Sequence, residues 1–199
     1  GETALTYDDA GRLTQIDYPD GRSLFYTYNE AGLRASVSDG GEYNVFYEYD
    51  ALGRLTALRD EDSLIIAYEY DAAGNLVREQ NGNGTVSLFT YDEAGRLTRI
   101  ENQTSEGEVN SFNAYTYDGA GQRVTNETQD GVWSYGYDAV GQLVSAEFVS
   151  SNPEIADKSL VYEYDAAGNR TRVVEDGEET IYVANALNQY TQVGDATFT

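Results

Sequence analysis

The segment Tyr47-Glu48-Tyr49-Asp50 carries the pattern from which the chain is read. Two rings separated by one polar residue point to the same face of an extended strand, and Glu48 points to the other. The unit returns as Tyr26-Thr27-Tyr28-Asn29, Tyr68-Glu69-Tyr70-Asp71, Phe89-Thr90-Tyr91-Asp92, Tyr115-Thr116-Tyr117-Asp118, Tyr135-Gly136-Tyr137-Asp138 and Tyr162-Glu163-Tyr164-Asp165, with a partial copy at Leu5-Thr6-Tyr7-Asp8. A glycine follows each second tyrosine by four residues, at Gly11, Gly32, Gly53, Gly74, Gly95, Gly121, Gly141 and Gly168. Recurrence on this scale marks a repeat architecture.

The second tyrosine recurs every 21 residues from Tyr7 to Tyr91, and the spacing then changes to 26, 20 and 27 on the way to Tyr164. The extra residues fall in polar, turn-rich stretches, Asn102 to Asn110 and Ser150 to Asp157, which read as lengthened loops. No linker interrupts the pattern. The expectation is one repeat array over 1–199, regular over about 1–101 and looser over about 102–199.

Each unit reads as a β-hairpin. In Asp50-Ala51-Leu52-Gly53 the Asp carboxylate can accept backbone amides of a tight turn, and Gly supplies the positive φ of a hairpin loop that closes with a bulge. Arg54-Leu55-Thr56, echoed by Arg12-Leu13-Thr14 and Arg96-Leu97-Thr98, begins the return strand. A second turn, such as Pro19-Asp20-Gly21 or Asn81-Gly82-Asn83-Gly84, leads to the next aromatic strand. The fold class is therefore all-β, a repeat of antiparallel hairpins. One hairpin is marginal in water, whereas hairpins stacked side by side support each other. Stacking predicts a ladder of rings through Tyr28, Tyr49, Tyr70 and Tyr91, each with about 150–250 Å² to bury.

Composition agrees with this reading. There are 18 Tyr and 20 Gly but only 2 Pro, as a chain of strands and turns requires. The net charge of −23 argues against nucleic acid and anionic membranes as partners. No apolar run reaches the ~18 residues of a membrane span. The absence of Cys excludes disulfides and cysteine-based zinc sites. With neither His nor Cys, nucleophilic catalysis lacks its usual base and its best nucleophile.

Carboxylate pairs such as Asp50 with Asp71 and Asp92 could in principle serve glycoside hydrolysis, but they recur with every repeat and have turn-capping work to do. No catalytic, cofactor or metal residue is assigned, and no enzyme activity is expected. Acidic stretches at Asp8-Asp9 and Asp60-Glu61-Asp62 lack the spacing of a calcium loop, so the expectation is no cofactor beyond weak, adventitious Ca2+. Tyr43, Phe46 and Trp133 are the candidates for stacking on a sugar ring if they stand exposed.

The signature Tyr-x-Tyr-Asp-x-x-Gly-Arg/Asn-Leu-Thr at about 20 residues resembles the RHS/YD-repeat family. It is clearest at Tyr70-Asp71-Ala72-Ala73-Gly74-Asn75-Leu76 and Tyr91-Asp92-Glu93-Ala94-Gly95-Arg96-Leu97-Thr98. The likeness covers essentially the whole chain. It drifts at Asn29, which stands for Asp, and at Gln122-Arg123-Val124. The resemblance implies a sheet strip that spirals into a hollow shell. Bacterial members and insecticidal toxin complexes wrap such a shell around a toxic C-terminal segment, teneurins use a similar barrel in adhesion, and related wall-associated proteins are linked to carbohydrate. The self-cleaving aspartyl-type ending of toxin-bearing members has no counterpart in these residues.

On this footing the signature residues are structural: Tyr28, Tyr47, Tyr49, Asp50, Gly53, Tyr68, Tyr70, Asp71, Gly74, Tyr91, Asp92, Gly95, Tyr117, Asp118, Gly121, Tyr137, Asp138, Gly141, Tyr164, Asp165 and Gly168. The expected setting is a piece of a longer secreted or cell-surface protein, bacterial by its lack of cysteine. Its expected partners are flanking repeats, an enclosed toxin or an extracellular protein or glycan, and other copies end to end.

Overall fold

The structure is a computed structural model that describes residues 1–61 and 63–198. Nineteen strands and no helix are found among them, and every strand pairing resolved is antiparallel, as the hairpin reading requires. They fall into two compact units, Gly1–Thr90 with Glu101–Asn110, and Tyr91–Ile100 with Ser111–Thr199.

The first unit carries β1 (Ala4–Tyr7), β2 (Leu13–Asp17), β3 (Ser23–Tyr28), β4 (Arg34–Ser38), β5 (Asn44–Tyr49), β6 (Leu55–Asp60), β7 (Ser63–Tyr70), β8 (Leu76–Asn81) and most of β9 (Val86–Tyr91). Each strand pairs with the next in chain order. β10 (Leu97–Gln103) is divided between the units. The second unit continues with most of β11 (Val109–Tyr117), then β12 (Arg123–Glu127), β13 (Gly131–Tyr137), β14 (Leu143–Ser150), β15 (Lys158–Tyr164), β16 (Arg170–Glu175), β17 (Glu178–Ala184), β18 (Tyr190–Val193) and β19 (Ala196–Thr197), again paired in order.

The turns explain this regularity. Asp50 Oδ1 accepts the N–H groups of Leu52 and Arg54 at 2.9 and 3.0 Å, while Gly53 N–H donates to the Asp50 carbonyl at 3.0 Å. Gly53 sits at φ +76°, where a side chain would be strained. The register slips by one residue at Tyr7, Tyr28, Tyr49, Tyr70, Tyr117, Tyr137 and Tyr164, so that Glu48 faces Ala57 but Tyr49 faces Leu55. This is the predicted bulge, with its extra residue, Thr56, on the return strand.

One predicted loop is not a loop. Asn102 to Asn110 reads as polar and loop-like, yet β10 runs to Gln103 and β11 starts at Val109. Between them lies the same turn with a different cap. Thr104 Oγ1 accepts Glu106 and Glu108 N–H at 3.3 Å, and Gly107 takes φ +84°. A threonine hydroxyl replaces the aspartate carboxylate, and the strands lengthen instead. Ser151 to Asp157 is irregular, as expected, and Asp157 Oδ1 fastens it by accepting Ser150 N–H at 2.8 Å.

Burial is sparse. Apart from Gly131, only Val45, Ala57, Ala146, Phe148 and Val173 are buried among the described residues, and no side chain falls below 2% exposure. The cross-strand partners Tyr47 and Leu58 share one face with Val45, while Ala57 lies on the other. The paired strands of each unit thus bury few side chains deeply among the described residues.

Candidate functional site

The signature residues meet along the row of turns, where each hairpin is joined to the next. Tyr28, Tyr49, Tyr70, Tyr117, Tyr137 and Tyr164 each donate a hydroxyl hydrogen bond to a carbonyl at the start of the preceding return strand. The acceptors are Leu13, Arg34, Leu55, Leu97, Arg123 and Leu143, at 2.6–2.9 Å. A carbonyl left over by the bulge therefore gains a donor from the next repeat, and the phenol head is satisfied while the ring stays half-buried.

The ladder of stacked rings is not there. No ring contact joins Tyr28, Tyr49 and Tyr70; rings meet instead at Trp133 with Tyr135 and Phe148, and at Tyr182 with Tyr190. Signature tyrosines occupy alternate strands, so successive rings stand two strand spacings, about 10 Å, apart, beyond the ~4.5–7 Å of a ring pair. Guanidinium groups lie between them. Arg12, Arg54 and Arg96 lie 4.7, 4.6 and 4.8 Å from the ring centroids of Tyr28, Tyr70 and Tyr117. Each also donates Nε to the Oδ2 of its own turn aspartate, Asp8, Asp50 or Asp92, at 2.7–2.8 Å. Arg54 and Arg96 reach onward to the carbonyls of Asp71 and Asp118, at 3.4 and 3.3 Å.

A second arrangement places the arginine one residue later. Arg34 lies over Tyr26 and Tyr47, Arg123 over Tyr115, and Arg170 over Tyr162 and Tyr182, at 3.9–5.8 Å. No repeat carries both arginines, since adjacent guanidiniums would repel. Sequence reading treated these arginines only as the start of a strand. The signal was present in the recurring Gly-Arg-Leu, but its meaning depends on a neighbour 15 or more residues away.

The remaining predicted positions are placed as follows. Asp71, Asp92, Asp118, Asp138 and Asp165 cap their own turns through Oδ1 at 2.8–3.0 Å. Gly74, Gly95, Gly121, Gly141 and Gly168 take φ between +76° and +93°. Tyr47 and Tyr68 are half-buried on the aromatic face, and Tyr91 is half-buried at the end of β9. Tyr43 and Phe46 are exposed in the first unit, whereas Trp133 in the second packs between Tyr135 and Phe148. Of the acidic stretch at Asp60-Glu61-Asp62, Asp62 lies outside the described residues. Among those described, no cluster of three or more ligating side chains could hold a metal.

The electrostatics follow from the capping. The backbone amide of the residue after the turn lowers the pKa values of Asp8, Asp50 and Asp92, and the Asn75 and Asn169 side chains lower those of Asp71 and Asp165. A general acid needs the opposite shift. A carboxylate with a folded pKa below its unfolded value of about 3.9 stabilises the fold above that value and loses the contribution as pH falls through the folded pKa. Asp71→Asn keeps a capping oxygen but removes the titration. Its urea midpoint is expected to fall less steeply than the parent's below about pH 4. Equal slopes would show that the cap contributes nothing through its charge.

The hydroxyl donors are tested by Tyr70→Phe, which leaves the Leu55 carbonyl without its 2.9 Å donor. A loss of about 1 kcal/mol in urea unfolding is expected. No measurable loss would mean that water replaces the hydroxyl without cost.

An open depression of about 740 Å³ lies in the first unit beside Tyr18 and Phe25. Its charged groups are already engaged: Asp39 Oδ1 accepts Gly41 and Tyr43 N–H, and Arg22 pairs with Asp20.

A family model for the Teneurin YD-shell matches residues 34–193, and one for the RHS repeat matches residues 7–42. No curated protein sequence matches the chain. In structure, the chain is similar to a Tc holotoxin pore of Photorhabdus luminescens that carries a TccC3 variant, with a TM-score of 0.79 at 18% identity over 96% of this chain. It is likewise similar to the TcdB2–TccC3 complex, with a TM-score of 0.78 at 18% identity over 94%. The matched region spans 12% of the length of each of those chains.

Proposed function

The chain belongs to the Teneurin YD-shell family, and from that premise we propose that it is a stretch of shell wall in a larger secreted or cell-surface bacterial protein, enclosing or displaying a toxin or effector region. The observation that carries this reading is the joint between repeats. Each hairpin presents a carbonyl and, in several repeats, a guanidinium to the tyrosine of the next, so the sheet extends without requiring a second layer or a converging site. A wall needs this property, because its faces must stay free for contents and surroundings. Asp50 and Asp92, held below their ordinary pKa by the backbone amides that they cap, act as acceptors for the turns rather than as proton donors.

Limited proteolysis of the full-length protein tests the proposal. The region that follows the repeats is expected to resist protease in the native protein and to become cleavable when the wall is unfolded. Cleavage at the same rate in both states would overturn it.

A second reading, an adhesion or carbohydrate-binding module, draws on the exposure of Tyr43 and Phe46, at 54% and 43%. It requires glycan binding that Tyr43→Ala abolishes.

A further inference from the structure

The joint between β14 and β15 lacks the guanidinium that braces its counterparts. Where Arg54 and Arg96 stand, this repeat has Gln142, and the following residue is Leu143 rather than a second-position arginine. Asp138 Oδ1 accepts Val140 and Gln142 N–H at 2.9 Å, but Oδ2 has no partner among the described residues. The Tyr164 hydroxyl donates to the Leu143 carbonyl at 2.9 Å as usual, yet no guanidinium covers its ring. Gln142 follows the path that arginine takes elsewhere. Its Nε2 would lie 3.4 Å from a Cβ on Gly168, as Arg54 Nη1 would lie 3.9 Å from one on Gly74. It reaches that end without a hydrogen bond and leaves Asp138 Oδ2 unpaired behind it.

The Gln122 joint differs on both counts. Gln122 Nε2 is tied to the Gly141 carbonyl at 3.2 Å, and Arg123 lies 3.9 Å over Tyr115, a neighbouring cation that opposes another. At the Gln142 joint nothing tethers the amide, and Arg170, the cross-strand partner of Tyr164, turns its guanidinium over Tyr162 and Tyr182 and leaves the Tyr164 ring uncovered.

We propose that the slot formed by Asp138 Oδ2, the Tyr164 ring and the Asp165 carbonyl is a docking site for an arginine side chain of a basic partner polypeptide. The chain's own geometry specifies the occupant. In the matching slots, Nε meets the carboxylate at 2.7 Å, the planar group covers the ring at 4.6–4.8 Å, and Nη1 reaches the next turn's carbonyl. That combination needs a planar fork of donors, which lysine lacks. A net charge of −23 draws a basic partner to the surface. Gln142 swings aside at little cost because its amide has no bond to break.

Blocked arginine, N-acetyl-arginine amide, is the probe, with N-acetyl-lysine amide as its control, and the Tyr164 ring resonances are the readout. Arginine is expected to shift them saturably with a dissociation constant in the millimolar range, and lysine to bind roughly fivefold more weakly. Gln142→Arg, whose own guanidinium fills the slot, should abolish the response and raise the melting temperature. Asp138→Asn should also abolish it while keeping the turn, as Asn29 Oδ1 shows by capping Leu33 N–H at 2.9 Å. An equal response to lysine would reduce the site to counterion attraction and overturn the proposal. So would the absence of any shift, or an arginine response that survives in both variants.

Discussion

Replacing Phe148 with alanine is expected to cost about 3 kcal/mol of unfolding free energy, near the low end for a buried aromatic. Phe148 is only 6% exposed in a sheet with few buried residues, and its ring lies 5.1 Å from Trp133 at an angle of 32°. Trp133 in turn stacks on Tyr135 at 6.3 Å. Truncation removes the buried surface and the ring pairing together, and leaves a gap that paired strands cannot close without breaking their ladder. Because stability in such an array is largely local, amide exchange in β13 and β14 is the appropriate measure beside urea unfolding. A loss below about 1 kcal/mol would show that the cluster is surface decoration.

Gly82→Ala is expected to cost a similar amount, about 3 kcal/mol, although Gly82 is not a signature glycine. A Cβ there would lie 2.0 Å from the Leu64 carbonyl oxygen and 3.3 Å from that of Ile65, while Gly82 N–H donates to Ile65 at 2.8 Å. Backbone on both sides would have to move. Gly95 in the signature makes the contrast. Its φ of +76° disfavours a side chain, but a Cβ would meet nothing within 4 Å, so Gly95→Ala costs only about 1–2 kcal/mol. Urea unfolding of the two variants side by side tests the ranking. A smaller loss at Gly82 than at Gly95 would mean that the Leu64 backbone yields easily.

The strands and turns were legible because their causes are local. Asp50 and Gly53 act within five residues of each other, and the alternation of Tyr47, Glu48 and Tyr49 is complete within one strand. Asn29 departs from the signature but caps with the same geometry, so the pattern survives. The stretch from Asn102 to Asn110 was misread because its cap is a threonine and its strand residues are polar.

The rings were the larger misreading. Their period is visible along the chain, but what lies beside each ring depends on which strand comes next across the sheet. Two strand spacings separate equivalent tyrosines, and a long guanidinium crosses that distance while another ring cannot. Arg12, Arg54 and Arg96 therefore changed from strand residues into links between repeats only when their neighbours were in place. The same holds for Gly82, whose need for glycine comes from the Leu64 carbonyl pressed against it rather than from its own turn. By itself the sequence determined the hairpins, their bulges and their period, since these are settled by hydrogen bonds within a few residues. The tertiary structure decided how one hairpin grips the next, because that grip joins groups 14 or more residues apart whose meeting depends on sheet spacing.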